Sequence, residues 1–97
     1  MFYKIVNESL YICDKMGNLG RRISESVSFG TFDDDSNIFL ITRTDGKVEL
    51  RDTNGNHKRT LINNSIEARF CGKDIIVRKN DGKTCLIDKV GNIKRYI

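Results

Sequence analysis

A chain of 97 residues with 38% apolar and 31% charged content is enough for one small core, and it is too apolar to be disordered. No apolar run approaches the about 18 residues that a membrane-crossing helix needs. Lys and Arg outnumber Asp and Glu by 17 to 13, and the net charge of +4 is uneven: residues 1–36 sum to −2 and residues 37–97 to +6. That split admits two readings, opposite ends meeting in two copies or a basic face turned to nucleic acid.

In chain order, the first residues, Met-Phe-Tyr-Lys-Ile-Val-Asn-Glu, lack the basic and then apolar pattern of a secretion signal. The cytosol is therefore the expected compartment, and the N-x-S sequons at Asn7 and Asn63 are discounted. Residues 2–6 and 10–13 read as strands around a turn at Asn7, and they run into Asp14-Lys-Met-Gly17-Asn18-Leu-Gly-Arg21-Arg-Ile23. Residues 27–29 alternate apolar and polar, as a half-buried strand does. The loop 31–37 follows, with Asp33, Asp34 and Asp35 adjacent. A calcium loop needs alternating oxygen ligands around a sharp Gly turn, so this run reads as a solvated acidic loop.

Strand-like residues 38–42 and 48–51 flank an Asp45-Gly-Lys hairpin signal, and the same phrase returns as Asp52-Thr-Asn-Gly55-Asn56-His-Lys-Arg59-Thr-Leu61. His57 beside this turn reads as a solvated strand residue. Residues 66–70 alternate again. Residues 74–78 and 84–87 then flank Asp81-Gly-Lys, and a third copy follows: Asp88-Lys-Val-Gly91-Asn92-Ile-Lys-Arg95-Tyr-Ile97.

The shared pattern is D-x-x-G-N-x-x-R-x-[I/L], with Asp positions 38 and 36 residues apart, and such a period predicts a repeat architecture. Asp opens a type I turn by bonding back to the backbone, and Gly supplies the left-handed residue that closes it. Asp14, Asp52 and Asp88 are therefore expected to cap turns. Ile12, Leu50 and Leu86, two residues before each Asp, are expected to share one buried face by the strand period. The expectation is an all-β domain over residues 1–97, with eleven strands in three antiparallel meander units (about 1–23, 24–61 and 62–97). The first unit begins inside its second strand and has three strands, and the others have four.

Four short strands per unit of 36–38 residues look like β-propeller blades. The phrases Leu86-Ile-Asp88-Lys-Val-Gly91-Asn-Ile-Lys and Asp81-Gly-Lys also resemble the WG repeat, whose turn has the form I-D-x-x-G-[K/N], although Thr84-Cys85 stand near the place of its Trp-Gly pair. The resemblance implies binding or scaffolding, with no catalytic residues. Because propellers close with about four to eight blades, three blades per chain lead us to expect a homodimer forming a six-bladed ring. A rolled monomeric sheet and a fragment of a longer repeat protein are the rivals.

No catalytic elbow, phosphate loop or metalloprotease motif occurs. Cys13, Cys71 and Cys85 form no C-x-x-C pair, and with one His they supply no zinc set. Neither cofactor nor metal is expected. The leading function is a non-catalytic interaction module, a small inhibitor or adaptor that binds another protein through its loops and an Arg-bearing strand face. Arg21, Arg59 and Arg95 recur once per unit, with Arg51, Lys58, Arg78 and Lys79 as further contacts. The alternative is nucleic-acid binding by the basic later part, adding Arg43, Lys47, Lys83 and Lys94, with Tyr96 for stacking. An enzyme using the Asp and Arg columns is a third and weaker reading.

Overall fold

The computed structural model describes residues 1–97, and it contains eleven strands and no helix. β1 (Phe2–Val6), β2 (Ser9–Cys13) and β3 (Leu19–Ser24) form the first sheet. β4 (Val27–Asp33), β5 (Ile38–Arg43), β6 (Val48–Asp52) and β7 (His57–Ile62) form the second. β8 (Ser65–Cys71), β9 (Asp74–Lys79), β10 (Thr84–Ile87) and β11 (Ile93–Tyr96) form the third. Each sheet is a plain antiparallel meander in sequence order, and none closes on itself. There is accordingly no helix long and apolar enough to cross a membrane.

The repeated phrase folds the same way three times. The N–H of Gly17, Gly55 and Gly91 donates to the carbonyl of the Asp three residues earlier, at 3.0, 3.0 and 3.1 Å. Each of these glycines has a φ between 86° and 96°, the left-handed conformation that Gly adopts without steric cost. One carboxylate oxygen of Asp14 accepts the N–H of Met16 and of Asn18, both at 2.9 Å, and the other accepts the Asn18 side-chain amide at 3.1 Å. Asp52 and Asp88 repeat the arrangement with Asn56 and Asn92. This explains why Asn follows Gly in the pattern, since its amide reaches back to the free carboxylate oxygen. The backbone N–H of Asn18, Asn56 and Asn92 is the main cause holding these Asp carboxyls below their ordinary range.

Strand alternation then divides the side chains between two faces. Phe39 and Ile41 point from β5 to the first sheet and join Leu10, Ile23 and Val27 in one core. Leu40, between them, points the other way and joins Val48, Leu61, Ala68, Ile75, Val77, Cys85 and Ile87 in a second core. The middle sheet is thus covered on both faces, and β4 and β8 lie side by side at the inner margin.

One expected boundary moves. β4 runs to Asp33, so Thr31, Phe32 and Asp33 are strand rather than loop. The cause is packing: Phe32 pairs with Phe39 across the ladder, with ring centroids 4.6 Å apart. The acidic turn shrinks to Asp34–Asn37, still two residues longer than Gly72–Lys73 at the same place in the third sheet. Asp33 caps it, accepting the Ser36 hydroxyl at 2.7 Å, and this bond is the main cause lowering its carboxyl.

Candidate functional site

The seven cations expected to make contacts separate into two groups. Arg21 on β3, Arg59 on β7 and Arg95 on β11 lie on the strand that directly follows each turn, which is the last of its sheet and forms its outer margin, and all three are exposed. None of the three guanidinium groups enters a side-chain hydrogen bond or ion pair within the fold. The other four are engaged. Lys58 lies 4.0 Å from Asp52, Arg78 lies 3.7 Å from Glu67, and the Lys79 ammonium donates to the Asn63 carbonyl. Arg51 donates through Nε to Glu49 at 3.0 Å and through Nη1 to the Gly55 carbonyl at 2.8 Å.

Arg51 leads to a cluster that the sequence reading missed. Glu49 sits on β6 between Val48 and Leu50, and its side chain is only 5% exposed. Arg43 Nη1 reaches it at 3.1 Å and also donates to the hydroxyl of buried Ser24 on β3, so one guanidinium ties the second sheet to the first. His57 Nε2 stands 3.4 Å from the other carboxylate oxygen. An open cleft of about 290 Å³ lies beside the cluster, lined by Arg22, Ile23, Ser24, Glu25, Arg43 and Arg51. Its chemistry suits a small oxyanion. However, Glu49 already takes the charge of two guanidinium groups, so the cluster satisfies itself as a bridge between sheets. The signal for it was faint: Val48-Glu49-Leu50-Arg51 reads as a strand with one wet face, because sequence alternation cannot tell that another sheet covers that face.

No three His, Cys, Asp or Glu side chains lie close enough together to hold a metal ion. The thiol of Cys85 is buried in the second core, and burial pushes it up, away from the reactive thiolate. Asp14, Asp52 and Asp88 spend their carboxylates on their own turns.

The third feature is apolar. Ten large apolar side chains are exposed, five on residues 1–19 and five on residues 66–97, with none on the second sheet. Phe2 is 59% exposed, Tyr96 59% and Ile97 69%. Neither a protein-family model nor a curated protein matches the chain, and the likeness to WG repeats therefore rests on the phrases and turns described above.

Proposed function

We propose that the protein is a non-catalytic interaction module, a small inhibitor or adaptor, whose three sheets act as propeller-like blades of an incomplete ring. Its outer margin grips an acidic surface of another protein through Arg21, Arg59 and Arg95. The observation that carries this reading is that these three guanidinium groups, at one position of the repeated phrase, have no partner in the fold, whereas the neighbouring cations do. An exposed guanidinium keeps its full donor fork for a carboxylate on a partner. Pairing of Arg51, Lys58, Arg78 and Lys79 within the chain thins the basic face that nucleic acid would need. The aromatic support is thin as well, since Tyr96 carries Lys83 at 6.0 Å over its ring and Phe2 is the one other exposed Phe or Tyr ring of the chain.

The test is affinity capture from a nuclease-treated lysate, comparing the native chain with an Arg21→Glu/Arg59→Glu/Arg95→Glu variant. A captured protein that the triple variant loses, with or without nuclease, is the expected result. Capture that survives the charge reversal, or that disappears with nuclease alone, contradicts the proposal.

A further inference from the structure

Two contacts occur twice inside the chain, once at each junction between sheets. In the first, the left-handed Gly of one turn lies against the backbone of the preceding sheet. A Cβ on Gly55 would fall 3.2 Å from the Ile23 carbonyl oxygen, and one on Gly91 would fall 2.5 Å from that of Leu61. Ile23 and Leu61 both stand nine residues after their Asp, and both are buried, at 3% and 8% exposure. The third residue in that position is Ile97, and it is exposed. At the other end of the stack Gly17, in the first copy of the turn, meets only Lys4 Nζ of its own sheet at 3.4 Å. Each end of the stack therefore shows one half of a contact that the chain makes twice.

The second contact involves the hairpin before each phrase. Val27 N–H donates to the Glu8 carbonyl at 2.7 Å, and Ser65 N–H donates to the Gly46 carbonyl at 2.9 Å, each bridging one sheet to the next. Gly46 is buried against Asn64 and Ser65, with a Cβ 3.3 Å from both backbones. Gly82 occupies the same place in the second Asp-Gly-Lys turn with a φ of 90°, close to the 92° of Gly46, yet nothing lies within 4 Å of its Cβ position. A cleft of about 490 Å³ opens there, lined by Gly82, Lys83, Thr84, Tyr96 and Ile97. The corresponding corner of the second sheet is occupied by the start of the third.

On the blade reading proposed above, we infer that the occupant of this open face is a second copy of the chain. The two copies join head to tail, with the third sheet of one receiving the first sheet of the other and Ile97 covered by the partner's Gly17 turn. The argument is continuity: the interface needed at the seam is the one the chain already builds at both internal junctions. Two such seams are identical by symmetry. Six sheets fall within the range at which propellers close, so the head-to-tail contact ends in a ring and does not run on as a filament. The placement of the exposed apolar side chains fits, since all ten fall on the strands, turns and ends of the first and third units and the second sheet carries none.

The test uses the full chain with exposed Cys71 and half-buried Cys13 replaced by Ser. Met16→Cys is introduced in one preparation and Ile97→Cys in another, and a short bis-maleimide is added to each alone and to the mixture. A covalent dimer in the mixture only is expected, because a head-to-tail seam brings residue 16 of one copy to residue 97 of the other. A dimer formed as readily by either preparation alone indicates a face-to-face contact, and no dimer in any sample indicates a monomer; both overturn the inference. Ile97→Asp provides a second reading, since this side chain is exposed within the chain and its exchange leaves the fold intact. The mass of that variant halves while its circular dichroism is unchanged; an unaltered dimer overturns the seam. A monomer that still captures a protein through its arginines faults only the seam. An intact dimer whose capture ignores the arginine reversal faults only the earlier reading.

Discussion

The two junctions between sheets use one backbone plan and fill it differently. Where the second and third sheets meet, eight buried side chains form a continuous core of aliphatic residues and one Cys. Where the first and second meet, five apolar side chains share the space with Glu49, held by Arg43 and Arg51. Position by position, Glu49 stands where the third sheet has Cys85, and Arg51 where it has Ile87, each by its offset from the turn Asp. A dry core gains from every apolar atom removed from water. A buried ion pair gives back much of its attraction as desolvation cost, and it gains mainly in geometry. The second junction is thus the anchor of the fold, and the first is the junction whose alignment is set by charge.

That contrast can be broken most severely at Leu40. Leu40→Ala should lower the unfolding free energy by about 3 kcal/mol, read from urea denaturation, because the side chain is fully buried in the dry core. A loss under about 1 kcal/mol would remove that junction as the anchor. Next comes Glu49→Gln, which strands two guanidinium groups. Since both arginines are about a fifth exposed, we discount the usual cost of breaking a buried pair to about 2 kcal/mol. Copying the apolar fill of the other junction with Glu49→Val/Arg51→Ile removes one of the two stranded guanidinium groups, leaving Arg43 alone, and should recover part of that loss; a double variant weaker than Glu49→Gln would show that the charges hold the first sheet in place.

Thr42 offers a smaller and opposite effect. Its hydroxyl is buried without a hydrogen-bond partner, so Thr42→Val should add about 1 kcal/mol by removing a desolvated donor. The smallest effect is the acid limb. The carboxyls of Asp14, Asp52 and Asp88 lie below 3.8 in the fold, held there first by the backbone N–H of the following Asn. Their contribution is complete above the unfolded value and is lost as pH falls through the lowered folded value. Asp52→Asn should therefore flatten the decline of melting temperature below about pH 4, and an unchanged acid limb would show that the turns do not depend on the carboxylate.

Much of this fold could be read from the residues because turns are local. Asp, Gly and Asn at fixed spacing determine three hairpins through bonds that span no more than four residues, and alternation on either side marks the strands. The end of β4 could not be read so well, because Phe32 is drawn into strand by Phe39, a partner beyond the turn. The least legible part was what covers each face. Glu49 looked wet because its alternation is that of a surface strand, and only the first sheet lying across it makes it buried. Of the proposed contacts, Arg51, Lys58, Arg78 and Lys79 looked as free as Arg21, Arg59 and Arg95 in the sequence. Glu49 shares a face with Arg51 two residues along the same strand, whereas Asp52, Glu67 and Asn63 are brought to Lys58, Arg78 and Lys79 by cross-strand register and by neighbouring loops, which spacing alone does not encode.

The most direct measurement is the mass of the native chain in solution by light scattering coupled to gel filtration, at low and high salt. Two copies of the 11.1 kDa chain, stable to salt because the seam is apolar, are the predicted result. A single copy at tens of micromolar would contradict the ring and leave three stacked sheets with their end faces open to water.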